Sequence, residues 1–175
     1  AEIRALQELL LQKKGVKKHT FNGWNRSSEV LLLTIPAFRD ALAEEVTGKK
    51  KVLKSGVRTI VPDFETVMKI RTIQELLFVI HTQTEGNVLS ADPETLAAQL
   101  AESDLMQILA ETHKGDVPFC FRIGVSGAMS LEERSIFSKR VATAIEGAFE
   151  RNLINSTSHY EVELRLLQHR EGGFV

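Results

Sequence analysis

Residues 119 to 175, FCFRIGVSGAMSLEERSIFSKRVATAIEGAFERNLINSTSHYEVELRLLQHREGGFV, decide how this chain is read. Phe119 to Val125 is a short apolar run that predicts a strand, and Gly124, Ser126 and Gly127 supply a turn after it. An amphipathic helix follows. Its apolar positions Phe137, Val141, Ala144, Ile145, Ala148 and Phe149 fall at helical spacing and lay one stripe against a sheet. A polar loop then leads to a second apolar strand, Tyr160 to Leu167, and Gly172-Gly173 predicts a hairpin turn beyond it. The stretch is a strand-helix-strand unit.

Upstream, Val30 to Ile35 is a nearly continuous apolar run ended by Pro36, which suits a buried strand. Ala37 to Val46 predicts a helix with Phe38, Leu42 and Val46 inward and Arg39, Asp40, Glu44 and Glu45 outward. Strands are expected at Lys51 to Leu53 and Val57 to Val61, then a helix opened by Asp63 as its cap, then a strand from Leu76 to His81. Asp92-Pro93 is a cap and first-turn signal for a helix to Ala101, and a second helix is expected from Asp104 to His113. The fold class is α+β. The expected organisation is an N-terminal helix and loop (1–28), a first α+β unit (29–83), a helical linker (84–116) and the strand-helix-strand unit (117–175).

The second unit resembles the THUMP domain, an RNA-binding module of RNA-modifying enzymes. The resemblance rests on Phe121-Arg122-Ile123, the helix from Ser138 to Ala148, Asn152-Leu153-Ile154-Asn155 and Tyr160-Glu161-Val162-Glu163-Leu164. The first unit resembles the ferredoxin-like domain that precedes THUMP in a group of RNA methyltransferases. LTIPAFRDALAEEV is similar to its opening strand and helix, and PDFETVMKIRTIQELLFVI to its later helix and strand, with Lys69-Ile70-Arg71 at the family's basic step. Together the resemblances imply the targeting half of an S-adenosylmethionine-dependent enzyme that methylates a guanine amino group. They imply transfer RNA as partner, ribosomal RNA as second choice, and a small activating subunit for the whole enzyme. The alternative is an adaptor without a methyltransferase domain, presenting RNA or a protein to a separate enzyme.

The chain carries a net charge of −1, with 43% hydrophobic and 26% charged residues, so composition argues against a uniformly basic nucleic-acid binder. No apolar run is long enough to cross a bilayer, and cytoplasmic placement is the expectation. The single cysteine, Cys120, lies between two phenylalanines and reads as a buried structural thiol. His19, His81, His113, His159 and His169 are scattered, and none forms a catalytic or zinc motif with its neighbours. Neither a Gly-rich cofactor loop nor an Asn-Pro-Pro-aromatic tetrapeptide occurs, and GVSG lacks the spacing and the Lys-Ser/Thr of a P-loop. No catalytic or metal-binding residue is therefore assigned. S-adenosylmethionine is expected in a catalytic domain following Val175.

If the chain binds RNA, its cations must gather where the phosphates pass. One candidate patch is Lys49, Lys50, Lys51, Lys54 and Arg58 in GKKKVLKSGVR, for which a solvated loop is the competing reading. The other is Arg122, Arg134, Lys139, Arg140 and Arg151 around the second unit, and Arg71 joins the set from the first. Arg122 points away from Phe121 and Ile123 by strand alternation. The basic run Lys13, Lys14, Lys17, Lys18, His19, next to a predicted helix with Ile3, Leu6, Leu9 and Leu10 on one face, is either a solvated helix end or a phosphate contact. Trp24, in a Gly/Asn/Ser setting, is a core residue or a base-stacking one.

Overall fold

The computed structural model describes residues 19 to 80, 91 to 127 and 129 to 167. The predicted helix of residues 1 to 14, the lysines at 13, 14, 17 and 18, and the Gly172-Gly173 turn lie outside them.

Four antiparallel strands make the first sheet. They are β2 (Ser28–Leu33), β3 (Lys50–Leu53), β4 (Gly56–Val61) and β5 (Glu75–Phe78), in the order β3-β4-β2-β5. A 3₁₀ turn, Pro36–Phe38, and helix α1 (Arg39–Glu45) connect β2 to β3, and α2 (Phe64–Met68) connects β4 to β5. The chain order is thus strand, helix, strand, strand, helix, strand. Val30 and Leu32 on β2 face Leu42, Val46 and Val67, and Trp24 closes this core at 7% exposure. Leu31, on the opposite face, is also buried, which explains why β2 reads as a continuous apolar run. The tight β3–β4 turn needs Gly56, because a Cβ there would lie 2.2 Å from the backbone oxygen of Leu32. Asp63 caps α2, its Oδ1 accepting from the Thr66 N–H at 2.7 Å.

The second sheet is parallel, in the order β8-β7-β9: β7 (Phe119–Ser126), β8 (Leu153–Asn155) and β9 (Val162–Leu167). Helix α5 (Leu131–Ala148) carries the chain from β7 to β8. It starts at a complete capping box, with Ser130 Oγ accepting from the Glu133 N–H and the Glu133 carboxylate accepting from the Ser130 N–H. Phe137, Val141 and Ile145 of α5 pack on Phe119, Phe121 and Val125. Helices α3 (Pro93–Ala101) and α4 (Leu105–Thr112), the expected linker pair, contribute Leu96, Leu100, Leu105 and Leu109 to this same core. A two-stranded ribbon, β1 (Thr20–Phe21) with β6 (His113–Lys114), ties the start of the described chain to the end of α4.

Several expectations are corrected. Phe38 is 52% exposed instead of inward, because the 3₁₀ turn after Pro36 shifts the start of α1. Ala148 is exposed, whereas Ala142 is buried because α3 packs along α5 and widens its stripe. Residues 153 to 155, read as part of a polar loop, form β8 against Phe119–Phe121. The strand expected from Tyr160 begins at Val162, and β5 spans Glu75–Phe78, ending before Val79; His81 lies outside the described residues.

Between the open edges of β5 and β9 lies an apolar cleft of about 170 Å³, lined by residues including Leu76, Phe78, Leu100, Leu109, Leu164 and Leu166. Arg165 on β9 spans it with a fork to Glu75 on β5, Nη1 to Oε2 at 2.5 Å and Nη2 to Oε1 at 3.1 Å.

Candidate nucleic-acid interface

Strand alternation splits the first basic patch. Lys50 pairs with Thr59 and turns toward the helices, where its Nζ donates to the Val46 carbonyl at 2.6 Å and to that of Ala43, neutralising the C-terminal end of α1. Lys51 pairs with Arg58 on the other face of the sheet. Arg58 Nε donates to Glu29 Oε1 at 2.6 Å. Lys49 and Lys54, both exposed, sit at opposite ends of the hairpin. Arg71 is exposed, while its backbone N–H and that of Thr72 bind the Glu45 carboxylate, which is held below the usual range first by the Thr72 hydroxyl.

The second patch is divided by the parallel sheet. Lys139 and Arg140 are exposed on α5, on one side of it, and Arg151 is exposed just past the helix with φ +64°. Arg134 donates from Nη2 to the Met129 carbonyl at 3.4 Å, and its Nε is buried without a partner among the described residues. Arg122 lies on the far side. Its Nε and Nη2 both reach Glu163 Oε2, at 2.9 and 2.5 Å, and its guanidinium carbon sits 4.0 Å from the centre of the Tyr160 ring. The loop of residues 156 to 161 brings Tyr160 there by crossing β7 from β8 to β9.

That loop is pinned at both ends. The Ser156 N–H donates to the Phe121 carbonyl and the Glu161 N–H to that of Cys120, both at 2.8 Å. The Glu161 carboxylate accepts from the His19 N–H at 3.0 Å and the Cys120 N–H at 3.3 Å, and lies 2.7 Å from His19 Nδ1. His19 Nε2 lies 2.8 Å from the Asp116 carbonyl, and the ring stacks on Phe119 at 4.1 Å. Each imidazole nitrogen thus faces an oxygen, Nδ1 that of Glu161 and Nε2 that of Asp116. Burial pushes the Glu161 carboxyl up, but the bonds from His19 and Cys120 outweigh it and hold the group below the usual range. Burial also raises the Cys120 thiol, with Glu161 adding to the effect.

Glu163 sits between Arg122 and Arg165. Burial raises its carboxyl, and the two guanidiniums bring it below the ordinary value. This polar row needs a small residue beneath it, since a Cβ on Gly124 would fall 2.6 Å from Glu163 Oε1. Neither Tyr160 nor Glu163 stood out as a site residue in the sequence. The only local signal for Tyr160 is that it is the chain's single tyrosine.

Among the described residues no group of His, Cys, Asp and Glu is placed to hold a metal ion. Where β7 leads into α5, the helix start is occupied by the Ser130–Glu133 box.

The fold is therefore that of two α+β units joined edge to edge by a staple and a short ribbon. No family model and no curated protein matches the chain. Among solved structures it is similar to TrmN from Thermus thermophilus, with a TM-score of 0.52 and 16% identity over 83% of this chain. The chain spans 43% of the length of that protein. The likeness establishes a shared fold. No helix among the described residues is long and apolar enough to cross a membrane.

Proposed function

We propose that this chain is the RNA-binding, substrate-positioning part of an S-adenosylmethionine-dependent RNA methyltransferase. The observation that carries the reading is the fold shared with TrmN over most of this chain, taken with the THUMP and ferredoxin-like resemblances of its two units. Two features support it. The β3-β4-β2-β5 order with its strand-helix-strand-strand-helix-strand path agrees with the ferredoxin-like arrangement. The parallel β8-β7-β9 sheet with one crossover helix agrees with a THUMP unit. On this reading the module holds the acceptor end of a transfer RNA, ribosomal RNA being the second choice. A catalytic domain outside this chain, with S-adenosylmethionine and an activating subunit, methylates a guanine amino group.

A nearly neutral surface with dispersed cations suits recognition by backbone shape and hydroxyls better than by a uniform basic field. The test is binding of the chain to a whole transfer RNA, and to the same RNA without its single-stranded 3′ end, across a salt series. Binding that weakens with salt and drops when the 3′ end is removed supports the proposal. Equal binding to both RNAs refutes the acceptor-end grip, and absence of binding at low salt refutes the RNA role of the chain.

A further inference from the structure

The Arg122–Tyr160 pair does something that a phosphate-binding arginine would not. Arg122 was singled out as a cation, yet Glu163 Oε2 takes both its Nε and its Nη2, so much of its charge is matched within the protein. What the pairing fixes is the plane of the guanidinium. The centre of the Tyr160 ring lies 4.0 Å from the guanidinium carbon, and the residue as a whole is 37% exposed. A tyrosine serving only the core would be buried, as Phe119 and Phe121 are on the face of β7 opposite Arg122.

The support beneath the ring is rigid. Arg122 and Glu163 are opposite each other in the β7–β9 register, Arg165 holds Glu163 from the other side, and Gly124 leaves room for that row. The loop bearing Tyr160 is pinned before the ring by Ser156 and after it by Glu161. An aromatic surface held in one place loses little freedom when a flat ligand covers it.

We infer that Tyr160, backed by Arg122, is a stacking platform for one unpaired nucleobase of the bound RNA. This rests on the RNA-binding reading above and adds the ligand class: an unstacked base with a free π-face, in place of the phosphate of a paired stem. Stacking is tolerant of base identity and nearly independent of salt, because no phosphate is neutralised. Arg122 is a positioning residue that keeps the tyrosine in place.

The test compares the wild-type chain with Tyr160→Phe and Tyr160→Ala on two labelled probes, hexacytidylate and a short blunt RNA duplex, by fluorescence polarisation across a salt series. Tyr160→Phe is expected to match wild type. Tyr160→Ala is expected to lose about tenfold to a hundredfold on hexacytidylate, with an unchanged salt slope and unchanged duplex binding. A second readout needs no variant. The single tyrosine gives one set of ring resonances, which should move upfield when hexacytidylate binds, as expected beneath a stacked base.

Undiminished hexacytidylate binding by a folded Tyr160→Ala chain overturns the platform and leaves the RNA reading intact. So does a loss shared equally with the duplex or accompanied by a shallower salt slope, or an unmoved tyrosine signal in the saturated wild type. Failure of the wild type to bind either probe at low salt removes the platform and the RNA reading together.

Discussion

Replacing Arg165 with methionine tests whether charge or packing holds the two units together. The methionine keeps an apolar stem against the cleft but removes the fork to Glu75 and the 2.8 Å bond from Nε to Glu163. The Glu75 side chain is 48% exposed, so solvent screens that contact and a net value of about 1 kcal/mol suits it. Glu163, at 21% exposure, loses one of its two arginines and adds about 1 kcal/mol more. The expected destabilisation near neutral pH is therefore about 2 kcal/mol. Its pH dependence separates the causes. Arg165 holds the Glu75 carboxyl below its ordinary 4.5, and Glu163 is lowered as well once its arginines outweigh burial. Lowered carboxyls stabilise fully above the unfolded value, and that contribution disappears as pH falls through the folded values. Urea denaturation of wild type and Arg165→Met, at about pH 7 and again at about pH 3, should show the difference shrinking by at least about half. A difference of the same size at both pH values would refute the electrostatic account and assign the loss to packing.

Two further outcomes follow from single contacts. Gly56→Ala places a Cβ against the Leu32 carbonyl, a backbone atom that cannot swing aside. The hairpin must open at a cost of about 2 kcal/mol, seen as a drop of several degrees in Tm; an unchanged Tm would contradict the close approach. Cys120 is 3% exposed and its thiol is raised by burial, so a thiol reagent such as Ellman's should react with it at least about a hundredfold more slowly in the native chain than in urea. Rapid native labelling would mean that β7 opens readily.

What could be read in the sequence was what depends on neighbouring residues. The start of α3 follows from Asp92 and Pro93, and that of α5 from Ser130 and Glu133, each a cap acting within one turn. β2 was legible because a strand buried on both faces needs no alternation to be recognised. β8 was not. Leu153 and Ile154 lie between Asn152 and Asn155, and only pairing with Phe119–Phe121, more than thirty residues away, makes them a strand. His19 ends a run of lysines that reads as a solvated helix end or a phosphate contact, yet a carboxylate 142 residues further on draws it to a site where its side chain is 2% exposed. The neighbours of Arg122 were hidden for the same reason. Which carboxylate faces it depends on the register of a parallel sheet, and hairpin-free parallel pairing leaves no local mark.

The division of labour among the cations follows from their chemistry. Arg26, Arg58, Arg122 and Arg165 are paired with carboxylates on other elements, the use that suits a planar fork of donors. Lys49, Lys54, Lys139, Arg140 and Arg151 remain at the exposed surface, distributed over both units. Lys49 and Lys54 lie on the β3–β4 hairpin, and Lys139, Arg140 and Arg151 on or just past α5. With about three phosphates neutralised, the logarithm of affinity should fall with the logarithm of salt at a slope of about −2 for a single strand. A module of that kind contributes orientation more than tightness. On the proposed RNA-binding reading, Tyr160 sets where a strand lies, and its stack supplies the share of the affinity that salt leaves unchanged.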